Sequence, residues 1–225
     1  AEARAENDRL FGALIRIAAT RKKVLAAICM DSNTNLAEHP FLCQALRELV
    51  LPETVQSIFA EAFSGCASLV SLAVPAGVED IPPAMCRDCT SLSSITLSPG
   101  VERILAGAFS GCTSLTSITL PNGIKRIFAY AFRDCTSLVS IVIPEGVTDI
   151  GHGAFRGCKS LVAITLPNTV TEIGDGAFQQ CTSLKSITIP EKVEIIEPYT
   201  FYECASLATV AIPNGVILIS DSAFE

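Results

Sequence analysis

Cysteine recurs at Cys43, Cys66, Cys89, Cys112, Cys135, Cys158, Cys181 and Cys204, and every step is 23 residues without insertion or deletion. A fixed period of this length is the mark of a solenoid or array, in which each unit is one supersecondary element stacked on the next. Other columns keep the same register. Phenylalanine stands at Phe63, Phe109, Phe132, Phe155, Phe178, Phe201 and Phe224, and leucine at every 23rd position from Leu46 to Leu207. Two aliphatic columns run from Leu49 to Val210 and from Leu51 to Ile212, and two more start at Val55 and Ile58. One unit reads L-P-x-x-V-x-x-I-x-x-x-A-F-x-x-C-x-S-L-x-S-I-T.

The columns translate into a coil. Residues 115–120 (Leu-Thr-Ser-Ile-Thr-Leu) end in strict alternation, which predicts a half-buried strand. Pro121 after it cannot donate to a ladder and ends the strand. Asn122-Gly123, like Glu145-Gly146, supplies a turn. Val147 and Ile150 face inward on the return path, and Ala154-Phe155 turns a compact 3₁₀-like arc with the cysteine behind it. No such coil buries its apolar side alone, so stacking must supply the core. With neighbouring strands about 4.8 Å apart, eight coils span roughly 40 Å.

Residues 150–161 (Ile-Gly-His-Gly-Ala-Phe-Arg-Gly-Cys-Lys-Ser-Leu) and 173–184 (Ile-Gly-Asp-Gly-Ala-Phe-Gln-Gln-Cys-Thr-Ser-Leu) resemble the BspA-type leucine-rich repeat, whose pattern is I-G-x-x-A-F-x-x-C-x-x-L followed by a strand and a proline. The resemblance covers residues 40–225. It implies an α/β leucine-rich-repeat solenoid, right-handed, with one short parallel strand per coil. It also implies a protein-binding or scaffolding role without catalysis, adhesin-like at a bacterial surface or in protist families, or as a subunit of a larger assembly; a purely structural spacer and, behind it, a thiol- or metal-binding protein are the alternatives. Two departures stand out: Cys86 replaces the column phenylalanine, and the I-G glycine occurs only at Gly151 and Gly174.

Residues 1–39 do not repeat. Leu10, Phe11, Leu14, Ile15, Ala18 and Ala19 recur at helical spacing, and Val24, Leu25, Ile28 and Cys29 continue it. The expectation is an N-terminal helical cap over the open end of the core, with a docking helix or a membrane-surface helix as alternatives. Residues 1–50 carry seven Lys/Arg against six Asp/Glu, which is weak attraction for a membrane. At the other end, residue 225 follows directly on the Phe224 column. The expectation there is a fragment, or a last coil covered by a partner or by further repeats.

Composition narrows the function classes. The chain has 225 residues, 17% of them charged and 49% hydrophobic, with a net charge of −7. That acidity argues against nucleic acid as a partner, and no run is apolar enough for membrane insertion. Ten cysteines are too few for a disulfide scaffold of this length. Stacked positions point their Cβ bonds in parallel, so the column reads as buried free thiols. The Cys86-Arg-Asp-Cys89 match to C-x-x-C has no second half-site to complete a zinc tetrad. His152 and Asp175 lie one coil apart in one column, but no nucleophile stands beside them, so they read as a surface ion pair. No metal, cofactor or catalytic residue is expected. Compartment is open: the resemblance points to a surface or secreted protein, whereas reduced buried thiols fit a cytosolic one.

The outward strand positions are small and neutral: Ser94 and Thr96, Ser117 and Thr119, Ser186 and Thr188. They lack aromatic anchors for a hot spot. A partner signal lies instead after the isoleucine column, where Phe59, Pro82, Leu105 and Phe128 follow on successive coils before Gly151 and Gly174 take the position. Side by side they would form an apolar ridge, with Arg126 and Tyr130 on its rim. The ridge is either exposed, as a protein contact, or tucked under the cap or into a wider coil.

Overall fold

The computed structural model describes Gln44 and residues 46–225, so the expected helical cap over residues 1–39 lies outside the described residues. Residues 46–225 contain strands and turns and no helix, which leaves a parallel β-solenoid without the α component of the expected α/β repeat. The longer strands are Glu48–Val50, Ser71–Ala73, Ser94–Thr96, Ser140–Val142, Ala163–Thr165, Ser186–Thr188 and Thr209–Ala211. Neighbours pair in parallel at an offset of one repeat, as Leu49 with Leu72 and Leu72 with Ile95. The alternation does its work: the central residue of each strand points into the stack and its two neighbours point out.

Two expectations need correction. Every coil from that of Ser71–Ala73 onward carries a second, two-residue strand, from Asp80–Ile81 through Arg103–Ile104, Arg126–Ile127, Asp149–Ile150, Glu172–Ile173 and Ile195–Ile196 to Leu218–Ile219. The inward isoleucine and the residue before it are extended enough to bridge to the next coil. Conversely, residues 117–119 form no strand. Ile118 and Leu120 are buried there, so the segment is held by its side chains rather than by ladder bonds.

The return arc is a third track. Within one coil, Ser110 N–H donates to the Gly107 carbonyl at 3.0 Å and Cys112 N–H to the Phe109 carbonyl at 3.2 Å, a 3₁₀-like pattern. Between coils, the amides of Gly107, Phe109 and Gly111 donate to the carbonyls of Ala129, Ala131 and Arg133 at 2.9, 2.8 and 2.8 Å. Reaching the next coil with alternate amides takes two left-handed residues per arc. Gly111 (φ 74°) and Gly157 (φ 73°) fill one such position at low cost, but Asp88 (φ 57°) and Asp134 (φ 56°) fill it in the intervening coils. Up to Gly157 the two types alternate: a Cβ at Gly111 would lie 2.2 Å from the Asp88 carboxylate, and one at Gly157 equally close to Asp134, whereas Gln180 and Glu203 hold the position in the next two coils.

The core is built from the columns. Phe109, Phe132, Phe155, Phe178, Phe201 and Phe224 stack with ring centroids 5.4, 5.4, 5.6, 5.6 and 5.2 Å apart. The series skips the coil of Cys86, where Met85 replaces the usual alanine and both side chains are fully buried. The cysteines are more than small hydrophobes. Cys135, Cys158 and Cys181 each donate S–H to the carbonyl of the phenylalanine 26 residues earlier, Phe109, Phe132 and Phe155, at 3.2, 3.1 and 3.2 Å. Each thiol thus ties its coil to the preceding one. The reading of the column as free thiols holds from Cys89 to Cys204 and fails at Cys66, which is in a disulfide.

Candidate functional site

Behind three successive short strands the next residue donates its amide to the preceding coil: Phe128 N–H to the Ile104 carbonyl at 2.9 Å, Gly151 to Ile127 and Gly174 to Ile150 at 2.8 Å. This is the ridge column. Phe59 is 45% exposed, Leu105 and Phe128 are half-buried, and Pro82 is buried. The ridge is therefore interrupted at its second member, and Phe59 stands apart from Leu105 and Phe128.

Beyond Phe128 the ridge stops and a groove opens. A Cβ at Gly151 would lie 2.6 Å from the Ala129 nitrogen and the Phe128 carbonyl carbon, and one at Gly174 would lie 2.6 Å from the His152 nitrogen. These two coils press their backbones against the coil before, which leaves room for glycine only. The result is a groove of ≈ 690 Å³ with Phe128 and Arg126 at one end, Gly151 and Gly174 on its floor, and Glu197 at the other end. Tyr130 flanks it in a strained left-handed conformation (φ 58°), with its ring over Gly153, where a Cβ would lie 2.7 Å away.

Charge is organised along the second ladder. Arg103 binds Asp80 through two bonds of 2.7 Å, Lys125 binds Glu102 at 2.7 Å, and Arg126 binds Asp149 at 2.8 Å. Arg126 also lies 5.2 Å over the Phe128 ring, and Arg133 lies 5.5 Å over Tyr130. The structure thus brings Phe128 and Arg126 together at one groove, and Tyr130 lies outside its lining but packs on the lining residue His152. His152 stands in the middle of it, edge-on to Tyr130 at 4.9 Å and 3.8 Å from the Asp175 carboxylate. The lining offers the Thr171 hydroxyl but no serine or cysteine beside that pair.

The thiols are placed for packing rather than chemistry. Burial pushes the thiol of Cys135 up to about 12 and that of Cys204 up to about 11. Burial, followed by the hydrogen bond the Cys86 thiol makes with Cys89, raises Cys86 well above the ordinary thiol value. Thiolate, the reactive form, is therefore scarce at neutral pH. Among the described residues no three potential ligands converge on a metal position. No helix among them is long and apolar enough to cross a membrane.

What residue order alone does not disclose is the seam under the groove. The short-strand ladder is continuous from Asp80–Ile81 to Glu172–Ile173 and starts again with Ile195–Ile196. The break falls between Glu172 and Ile195, both in the groove lining.

A stack of 23-residue coils with two parallel ladders defines a leucine-rich-repeat-type solenoid. The chain belongs to the BspA type leucine rich repeat family, whose model matches residues 28–139 and 125–225 in six copies. Its structure is similar to that of a leucine rich repeat protein of T. pallidum, at 32% identity and TM-score 0.54, over 77% of this chain and 73% of that one. A leucine rich cell surface protein of Faecalibacterium prausnitzii is similar at 24% identity and TM-score 0.50, over 82% and 78% of the two chains. A leucine-rich repeat protein of Bacteroides ovatus matches at 25% identity and TM-score 0.48, over 81% and 65%. No match was found among curated proteins.

Proposed function

We propose that this chain is a non-enzymatic protein-binding module, adhesin-like or a subunit of a larger assembly, that docks through the flank formed by its second ladder. The observation that carries the reading is the abrupt end of the half-buried Phe128 ridge at Gly151, which opens a groove of ≈ 690 Å³ lined at that end by Arg126 and Phe128. An aromatic and an arginine at the mouth of a depression are the residue types that dominate protein interfaces. The opposite, strand-bearing face offers a flat hydroxyl surface with little to anchor on. Phe59, Leu105 and Phe128 supply apolar contact, and the buried Pro82 supports the ridge from below.

Affinity purification with the natural chain and with a Phe59→Ser/Phe128→Ser variant tests this. Both positions are partly solvent-exposed, so the variant keeps the coil stack, which circular dichroism checks. A partner retained by the natural chain and lost by the folded variant supports the docking flank. Equal retention by both rejects it, and absence of any specific partner favours a spacer.

A further inference from the structure

The two ends of the groove differ in their electrostatics. At the Phe128 end each aromatic has a cation and each cation a carboxylate: Arg126 lies over Phe128 and binds Asp149, and Arg133 lies over Tyr130 and binds Asp134 at 3.1 Å. Three repeats on, in the register of Tyr130, stands Tyr199, 43% exposed and edge-on to Tyr202 at 5.6 Å. Among the described residues neither of these rings carries a cation. Glu172, Glu194 and Glu197 line this end and have no ion-pair partner among the described residues. Lys192 is the one cation there.

The floor adds acceptors. Along the flank, Thr148 N–H donates to the Lys125 carbonyl at 3.0 Å, Thr171 to Thr148 at 2.9 Å, and Ile217 to Glu194 at 2.8 Å. The intervening bond, from Glu194 to the Thr171 carbonyl, is not made. In the neighbouring series Gly174 donates to Ile150 at 2.8 Å and Ser220 to Ile196 at 2.9 Å, and the bond from Glu197 to the Ile173 carbonyl is likewise missing. The Thr171 and Ile173 carbonyls therefore accept no backbone bond at the seam.

We propose that this seam, between residues 171–175 and 194–199, receives an arginine side chain of a partner protein. The inference rests on the reading of this flank as a protein contact. A guanidinium has five donors and no acceptor, which matches carbonyls and unpaired carboxylates beside an aromatic ring. It would give Tyr199 the cation that Arg133 gives to Tyr130. A second copy of this chain is disfavoured, since a net charge of −7 repels its like. A metal ion is disfavoured because no three ligands converge among the described residues.

The test is nuclear magnetic resonance titration of the isotope-labelled 225-residue chain with the capped peptide Gly-Arg-Gly-Arg-Gly. Controls carry citrulline or lysine in place of arginine. The expected result is saturable shifts confined to the amides of residues 171–176 and 194–199. Binding should be about tenfold weaker for the citrulline peptide, the loss expected for a charge-assisted hydrogen bond. A folded Glu172→Gln/Glu197→Gln variant should lose the response. Equal binding of the citrulline or lysine peptide, shifts spread over every acidic surface, or an undiminished response in the variant would each overturn the proposal. If Phe59→Ser/Phe128→Ser loses its partner while the arginine peptide leaves the seam unmoved, the flank is a protein contact and the arginine assignment is wrong.

Discussion

The exchange of Ala-Phe for Met85-Cys86 in one coil is a volume compensation, and it can be reversed on purpose. Both side chains have no exposure, and the coils around them are close-packed. Cys86→Phe alone drives a ring into space that Met85 fills, an overpacking worth about 1–3 kcal/mol. Met85→Ala alone leaves a cavity beside a small cysteine and costs about 2–5 kcal/mol. The double variant restores the unit found from Ala108-Phe109 onward and extends the ring stack, whose members sit 5.4 Å apart at Phe109 and Phe132, back to Phe63. Each added stacked pair contributes roughly 0.5–1.5 kcal/mol beyond burial, and the Cys86–Cys89 thiol contact is lost. The double variant should therefore lie within about 1 kcal/mol of the natural chain, with a coupling energy of at least ~2 kcal/mol. Urea unfolding followed by circular dichroism measures all four species. Additive single effects would refute the compensation.

Phe155→Ala, with stacked neighbours on both sides, should cost about 3–5 kcal/mol in the same assay. Gly174→Ala places a Cβ 2.6 Å from backbone, whereas Gly176→Ala meets the Gln179 side chain at 3.2 Å and bears the cost of its left-handed φ of 57°, so the first should destabilise more and should alone shift the groove amides. Thiols that stay neutral when folded stabilise fully below the unfolded value of about 8.5. Their contribution falls as pH rises toward about 11 at Cys204 and about 12 at Cys135, so urea midpoints should drop between neutral and alkaline pH, and a flat profile would contradict the burial argument. Ser98 stands where the other coils carry proline, and its buried hydroxyl has no partner, so Ser98→Ala should raise the melting temperature by removing a desolvated group worth about 1 kcal/mol.

The repeat was legible because period 23 and period 2 are both written in apolar side chains. Leu72, Ile95, Ile141, Ile164 and Ile187 are buried where alternation puts them. The second ladder was not legible, because two residues such as Arg126–Ile127 are too short to show a period. At residues 117–119 the alternation is present and the ladder is not, since side-chain pattern reports which face is buried and not which amides are paired. The thiol bonds were hidden for another reason: an offset of 26 residues joins one coil's cysteine to a main-chain carbonyl of the coil before, and a carbonyl leaves no trace in residue identity. At the groove, Phe128, Arg126 and Tyr130 could be named from their columns. The glycines at 151 and 174 could be named too, but their cause, a backbone approach, could not. The seam at Glu172 and Ile195 was out of reach, because nothing in those two columns marks where pairing stops.

The three tracks of hydrogen bonds all run along the stack axis, which gives the solenoid a particular response to tension. A pull on its two ends loads those bonds along their own direction, so coils should peel off one at a time instead of shearing together. Each coil released returns 23 residues of slack, roughly 75 Å of extended chain. The seam between Ile173 and Ile196 already lacks its ladder bonds and is held there by the arc and the ring stack. A molecule tethered at both ends would yield first at the place where the groove lies, so load would open the surface proposed for a partner.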